Sequence, residues 1–206
     1  MNDSLFLAIN AGPHPPTLVL AVARLIAVWA VPAAVVLFVL LWIRVRPERR
    51  GALITATFVM ALGLILNFLI GLAYFHPRPF MVGLGQQHLP HAPDSSFPSD
   101  HATFLWSLGF GLLVLGAWRI LAALMLAAGV GVAWARVYLG VHFPFDMLGA
   151  LVVSLIVTCA ARRLYGPVGS FVLPPCNRGY EALITAFHLP AVIFPRTGRA
   201  DSRSGQ

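Results

Sequence analysis

The stretch ALITATFVMALGLILNFLIGLAYF, residues 52–75, decides the class of fold. Its interior contains only three polar side chains, Thr55, Thr57 and Asn67. A helix of this length extends about 36 Å, enough to cross a hydrocarbon core of about 30 Å. The rest of the chain has the same character, since 59% of its 206 residues are hydrophobic and 10% are charged. We therefore predict an all-α, polytopic membrane helical bundle.

Working outward from this stretch, four more apolar runs have the composition of membrane helices. The five predicted spans are residues 25–43, 52–75, about 102–117, 120–135 and about 147–161. A short interfacial helix is predicted before them at residues 3–10. After them, residues 166–175 are turn-rich, 180–194 form an apolar surface segment broken by Pro190, and 195–206 have a disordered composition. We predict a membrane-embedded domain over 1–165 and a cytoplasmic or interfacial tail over 166–206.

Arginine positions predict how the bundle is oriented. All 14 residues counted as Lys or Arg are arginine, and 11 of them lie between spans one and two, between spans three and four, or after span five. The other three are Arg24, Arg78 and Arg136. The positive-inside rule places the larger group, and the C-terminus, in the cytoplasm. No basic patch is interleaved with aromatic residues, so the net charge of +7 does not indicate a nucleic-acid partner.

Three short polar segments stand at ends of the apolar runs. They are FHPRPF (75–80), FPSDHAT (97–103) and ARVYLGVHFPFD (135–146). The predicted topology brings all three to the outer face of the membrane. Two arginines, two histidines, a serine and two aspartates would then lie close together, a set of groups suited to binding a phosphate and attacking it.

FPSDHAT supplies the start of the third span. Ser99 or Asp100 is a natural N-cap, and a helix beginning there directs free N–H groups and its positive dipole end outward. Such an end binds anions, and His101 would lie beside the anion in the first turn. Taken alone, the segment is more often a plain helix cap, because Ser and Asp caps are common.

The third segment is more specific. His142 and Asp146 are four residues apart, and Pro144 between them suits the first turn of a helix. The carboxylate could hold one imidazole nitrogen and leave the other as a nucleophile or base. A helix cap with a nearby histidine explains the spacing equally well, since histidine–carboxylate pairs also serve structure.

Arg78 and Arg136 each lie near the outer boundary. The guanidinium fork binds phosphate oxygens through two parallel hydrogen bonds, whereas snorkelling to lipid headgroups is the ordinary role of an arginine at a helix end. The loop GQQHLPHAPD (85–94) between the first two segments could cover the site. Its histidines and acid, together with His101, fit no metal-ligand spacing, so we expect no metal.

The three segments together resemble the signature of the type-2 phosphatidic acid phosphatase superfamily. The family's Arg-Pro, Pro-Ser-Gly-His and Ser-Arg-x5-His-x3-Asp motifs are matched by Arg78, Pro79, Pro98, Ser99, Asp100, His101, Ala135, Arg136, His142 and Asp146. Three positions depart from the pattern. Gly71 stands where the family has a lysine, Asp100 replaces a glycine and Ala135 replaces a serine. The Asp100 variant with FHPRPF is similar to the bacitracin-resistance-type undecaprenyl pyrophosphate phosphatases.

This resemblance implies a covalent mechanism. His142 would attack the terminal phosphorus to form a phosphohistidine, with Asp146 holding its ring. His101 would protonate the leaving oxygen and then activate water. No metal and no cofactor are implied.

The resemblance also implies how the phosphate is held and what the substrate is. Arg78, Arg136, Ser99 and the backbone near Asp100 would hold the phosphoryl oxygens. The partner would be a polyprenyl diphosphate lipid, undecaprenyl diphosphate, in a bacterial plasma membrane, with the site on the extracytoplasmic face. The sequence gives no oligomeric state.

Two other functions stay open. One is a phosphatase of another lipid phosphate, phosphatidate or phosphatidylglycerol phosphate. The other is an anion transporter with Arg78 and Arg136 along its path, although such a protein would carry more polar residues deep in its spans.

Overall fold

A computed structural model describes residues 1–114, 116, 118–163, 165–190 and 193–196 of the chain. Within these residues there are helices and no strands, so the all-α prediction is confirmed. The α-helices are α1 (Asn2–Ile9), α2 (Thr17–Arg44), α3 (Pro47–Ala73), α4 (Asp100–Val114), α5 (Arg119–Tyr138), α6 (Pro144–Ala161) and α7 (Tyr165–Ala186). A short 3-10 helix, Pro79–Val82, follows α3. Residues 197–206 of the predicted disordered end lie outside the described part of the chain.

Four helices in the described part of the chain are long and apolar enough to cross a membrane. They are Thr17–Arg44, Arg49–Ala73, Arg119–Tyr138 and Pro144–Ala161. The helix at the predicted third span, α4, has 15 residues and extends about 22 Å, which is shorter than a hydrocarbon core. The predicted third span coincides with α4, which leads from the end of the bundle where α3 stops to the end where α5 starts. Residues 115 and 117 of that span lie outside the described part of the chain, and its crossing of the membrane stays a prediction.

The short helix α4 is the centre of the bundle. It packs against α3, α5 and α6, and nine of its 15 residues are buried. Glycines allow its neighbours to approach closely: Gly129 on α5 faces the ring of Trp106, and Gly111 of α4 faces the backbone of Ala56 on α3. A helix surrounded in this way needs no polar outer face, which explains its uniform apolar composition.

The outer surface of the bundle is apolar. Val36 on α2, Phe68 on α3 and Ile120 on α5 are 57%, 65% and 80% exposed. Water would not accept such a surface over four long helices, because every exposed Å² of apolar area costs about 25 cal/mol. The described helices are therefore those of an integral membrane protein.

Residues 166–175 do not form the predicted turns. They lie inside α7, with Pro174 and Pro175 in the helix. Packing outweighs the local turn signal here, because Arg50 of α3 is fully buried beneath α7. The Arg50 guanidinium lies 3.9 Å from the ring centroid of Tyr180 and donates to Asn177 Oδ1 at 3.1 Å. The predicted surface segment, residues 180–194, thus begins in α7, where Tyr180 and Ile184 are its buried residues in the described part of the chain. The division into 1–165 and 166–206 stays a prediction.

The predicted N-terminal helix is present as α1, and it contributes to the core. Phe6 is fully buried and contacts Phe143, with ring centroids 5.4 Å apart. Asn10, just after α1, donates from Nδ2 to the carbonyl oxygens of Gln86 and Tyr138. This helix therefore joins the loop after α3 to the loop between α5 and α6.

Replacing Gly129 with alanine tests the close packing of α4 on α5. The new Cβ would overlap the Trp106 ring, so we expect a loss of about 1–3 kcal/mol in stability. Gly131→Ala is the matched control on the same helix, because its Cβ meets only Ile26 Cγ2 at 3.6 Å. Thermal unfolding in detergent should show a lower midpoint for Gly129→Ala alone. Equal midpoints for the two variants would contradict this packing.

Candidate active site

Four helix ends converge at one end of the bundle. The chain leaves α3 at Ala73 and reaches Arg78, enters α4 at Asp100, leaves α5 at Tyr138 and enters α6 at Pro144. The three polar segments lie at these ends. Consequently the starts of α4 and α6, whose first N–H groups lack partners within the helix, add positive potential to the same region.

His142 and Asp146 form a buried couple. They are 2% and 1% exposed, and His142 Nδ1 lies 3.2 Å from Asp146 Oδ2. The same oxygen accepts the Phe143 N–H at 2.7 Å. As predicted, α6 begins at Pro144, but His142 precedes the helix instead of lying in its first turn. The backbone bond to Phe143 brings the ring and the carboxylate together in place of helical spacing.

Arg78 defines the tautomer of His142. Arg78 Nη1 lies 3.0 Å from His142 Nε2, and a guanidinium can only donate. Nε2 therefore carries a lone pair, and the proton is on Nδ1 facing Asp146. Burial lowers the pKa of His142 well below its usual range, and the charges of Arg136 and Arg78 lower it further. The imidazole is neutral, with its free nitrogen directed toward the arginine.

The remaining donors of Arg78 also have acceptors. Nη1 donates to the Val141 carbonyl at 2.8 Å, Nη2 to the Ser95 carbonyl at 3.2 Å and Nε to Asp94 Oδ1 at 2.7 Å. Arg78 is 4% exposed, so each of these bonds offsets part of the cost of burying its charge. Asp94 is its only carboxylate partner within the described residues.

Arg136 is less well satisfied. It is 3% exposed, and its Nη2 lies 2.8 Å from His91 Nε2. Its Nε has no hydrogen-bond partner among the described residues, and neither does the fully buried Ser99 Oγ. A buried donor without an acceptor costs about 1–3 kcal/mol. These two orphaned groups of the predicted phosphate-binding set are therefore suited to contact an oxyanion.

His101 and Asp100 begin α4 at the edge of this cluster. His101 is half-buried, within electrostatic range of Arg136, His91 and Arg78. The Asp100 side chain accepts a hydrogen bond from Asn67 Nδ2 at 2.9 Å, and the same amide lies 3.0 Å from Thr103 Oγ1. Asn67, one of the three polar side chains in residues 52–75, thus holds Asp100.

A second layer stands behind the couple, and the motifs did not predict it. Asp146 Oδ1 has no hydrogen bond among the described residues and lies 3.7 Å from His76 Nδ1. His76 Nδ1 is 2.8 Å from Ser96 Oγ, and the Ser96 N–H donates to the His76 carbonyl at 2.8 Å. His76 belongs to the segment FHPRPF, and its place two residues before Arg78 is the sequence signal for this role.

The loop between α3 and α4 covers the cluster, as its position in the chain suggested. His88 N–H donates to the Leu139 carbonyl at 2.9 Å, and Arg24 Nε donates to the His88 carbonyl at 3.0 Å. Gly140 has φ +79°, and a Cβ there would overlap the Gln86 carbonyl oxygen. Only glycine fits both constraints, so the loop and the turn before His142 pack directly on each other.

The arrangement can perform nucleophilic attack on a bound oxyanion. The unprotonated His142 Nε2 lies 3.0 Å from the buried Arg78 guanidinium. The same end of the bundle holds the buried Arg136 guanidinium, the buried Ser99 hydroxyl and two helix starts, which are donors of the kind that stabilise developing phosphoryl charge. All seven predicted site residues lie in or at the edge of this region. Among the described residues, no group of three or more His, Cys, Asp or Glu side chains is arranged to hold a metal ion.

The chain is similar to several known proteins. The chain is 34% identical over 171 residues to YbjG of Escherichia coli, provisionally named an undecaprenyl-diphosphatase, covering 82% of this chain and 85% of that protein. It is 32% identical over 184 residues to the undecaprenyl-diphosphatase BcrC of Bacillus subtilis, covering 89% and 94%. The fold matches the crystal structure of Aquifex aeolicus LpxE with a TM-score of 0.65 at 21% identity, covering 79% of this chain and 94% of that one.

A family-wide match covers most of the helical bundle. It runs over residues 52–169, from the first turns of α3 through α6 to the start of α7, and so contains all three polar segments. The resemblance inferred from those segments is confirmed: the chain belongs to the PAP2 superfamily.

Proposed function

We propose that this protein is an integral membrane phosphatase that hydrolyses undecaprenyl diphosphate to undecaprenyl phosphate and inorganic phosphate. The observation that carries the proposal is the unprotonated Nε2 of His142, which lies 3.0 Å from the buried Arg78 guanidinium, while Asp146 contacts Nδ1 on the other side of the ring. The names of the relatives YbjG and BcrC support the choice of lipid. The product would be the carrier lipid of cell-wall synthesis. By removing the diphosphate, the reaction would leave less of it for bacitracin to bind.

In the first step the His142 Nε2 lone pair attacks the terminal phosphorus. Burial, together with the charges of Arg136, His91 and Arg78, lowers the pKa of His101 to about 4, so His101 takes up its proton when the diphosphate brings negative charge into the site. The N–P bond forms as the bridging P–O bond breaks, and the protonated His101 gives this proton to the leaving lipid phosphate. Arg78, Arg136 Nε, Ser99 Oγ and the N–H groups at the start of α4 hold the three phosphoryl oxygens as charge builds on them. Asp146 stabilises the ring as it becomes positive.

In the second step a water molecule attacks the phosphohistidine. The now neutral His101 takes a proton from the water as its oxygen bonds to phosphorus, and the N–P electron pair returns to Nε2. Inorganic phosphate leaves, and His101 and His142 regain their starting protonation states. The single histidine thus serves as acid and then as base without any metal.

The site faces the extracytoplasmic side of a bacterial inner membrane, and the C-terminus is cytoplasmic. This orientation rests on the positive-inside rule, since the arginine-rich loops lie at the end of the bundle away from His142. The diphosphate headgroup would reach the site from the outer leaflet.

His142→Ala should reduce phosphate release from undecaprenyl diphosphate by roughly a thousandfold or more, because the nucleophile is lost. The control is His14→Ala, since His14 is an exposed histidine in the loop between α1 and α2. Phosphate release in detergent, normalised to folded protein, measures both variants. Full activity in His142→Ala would exclude the mechanism, and faster turnover of phosphatidate than of undecaprenyl diphosphate by the unaltered protein would replace the substrate.

Arg136→Lys should lower kcat/KM by about a hundredfold, because lysine keeps the charge and lacks the Nε donor and the planar fork. Arg24→Lys is the matched control: Arg24 is an exposed arginine at the same end of the bundle, and its Nε donates to the His88 carbonyl. Steady-state kinetics should show the defect in Arg136→Lys only. Similar values for both variants would remove Arg136 from the phosphate site.

Fusions to the C-terminus test the proposed orientation. A green fluorescent protein fused after Gln206 should fluoresce in cells, because this protein fluoresces when it folds in the cytoplasm. Alkaline phosphatase at the same position should be inactive, because it becomes active only outside the cytoplasm. The opposite pair of results would place the C-terminus outside and the His142 cluster on the cytoplasmic face.

A further inference from the structure

Two residues of the loop before α4 supply acceptors to the two site arginines. Asp94 Oδ1 accepts from Arg78 Nε at 2.7 Å, and His91 Nε2 lies 2.8 Å from Arg136 Nη2. His91 Nδ1 is 3.1 Å from the Ala92 carbonyl, which can only accept, so its proton is on Nδ1 and its Nε2 is an acceptor. Within the described residues, the loop therefore gives each of the two guanidiniums a hydrogen-bond acceptor, which is what a phosphate oxygen would also provide.

The Asp94 side chain is exposed, whereas hydrogen bonds hold the backbone of the loop around it. The Asp94 side chain is 61% exposed, so its carboxylate can turn into water at small cost. Its neighbours are tethered: the Ser95 carbonyl accepts from Arg78 Nη2, the Ser96 N–H donates to the His76 carbonyl, and the His88 N–H donates to the Leu139 carbonyl. The carboxylate thus stays beside Arg78 whether or not it is bonded to it.

We propose that Asp94 is a specificity-determining residue: its carboxylate keeps singly charged phosphodiesters from binding Arg78, but a terminal phosphate displaces it. The proposal rests on the proposed function, in which Arg78 and Arg136 bind the phosphate to be removed. A membrane enzyme works beside a high concentration of phosphodiester headgroups. Each of these carries one negative charge and two non-bridging oxygens, whereas a terminal phosphate carries up to two charges and three such oxygens.

Competition with Asp94 turns this difference in charge into selectivity. A phosphodiester must replace one carboxylate with one equal charge, so it gains little from Arg78. A terminal phosphate brings more charge and can contact Arg78 and the orphaned Arg136 Nε at the same time. His91 adds to the effect, because its lone pair must also be exchanged for a phosphate oxygen at Arg136 Nη2. Selection against the wrong ligand is thereby provided by an internal competitor.

The test measures inhibition by a phosphodiester lipid. Asp94→Asn and Asp94→Ala both remove the charge, and Asp3→Asn is the control that removes an exposed carboxylate in α1 without contact to an arginine. Phosphate release from undecaprenyl diphosphate is followed in micelles with increasing phosphatidylglycerol, and with inorganic phosphate as a separate inhibitor. We expect the half-inhibitory phosphatidylglycerol concentration to fall about fivefold in both Asp94 variants, the factor that an ion pair with one exposed partner is worth.

The outcomes separate this proposal from the function on which it rests. Unchanged inhibition by phosphatidylglycerol in both Asp94 variants, or the same change in Asp3→Asn, would overturn the role of Asp94 and leave the phosphatase intact. Stronger inhibition by inorganic phosphate alone, with no change toward phosphatidylglycerol, would also overturn it, because Asp94 would then exclude the phosphate and not the phosphodiester. Activity that survives in His142→Ala would instead reject the proposed function itself.

Discussion

Two guanidinium groups are buried at one end of an apolar bundle, and their need for hydrogen-bond acceptors constrains the residues around them. Arg78 and Arg136 are 4% and 3% exposed, and a buried cation is tolerated only where acceptors surround it. Backbone carbonyls, a carboxylate and two imidazole lone pairs supply those acceptors. The surrounding loop structure follows from this need, since Val141, Ser95 and Asp94 all stand where they satisfy Arg78.

The helical bundle makes such a polar site possible by fixing helix ends instead of long polar surfaces. The central helix α4 is short and nearly uniform in its apolar character, so its neighbours close around it and bring their own ends to the same level. The chemistry is then carried by residues just outside the helices, or in their first and last turns. The outward faces remain free to be entirely apolar, as a lipid environment requires.

Much of this could be predicted from the sequence, and the failures have a common cause. Span-length apolar runs and the spacing of Arg78, His101, His142 and Asp146 are local features, so the sequence could predict the helices and the gathering of these residues at one end of the bundle. Their roles in a reaction stay predictions. The hydrogen bonds of His76, His91 and Asp94 depend on how a long loop returns across the bundle, which no short pattern records. Likewise, the prolines of residues 166–175 indicated turns, because the burial of Arg50 under α7 is a contact between distant segments.

The hydrogen bond from Arg78 to His142 Nε2 has a chemical consequence for the idle enzyme. A lone pair that already accepts a hydrogen bond is a weaker nucleophile, so the imidazole is less reactive while Arg78 is bonded to it. A ligand whose oxygens accept the hydrogen bond from Arg78 leaves the lone pair of His142 Nε2 free to react. In the proposed reaction, the contact that releases Nε2 is also the contact that binds the phosphate, so the nitrogen becomes reactive only when a phosphate is in place.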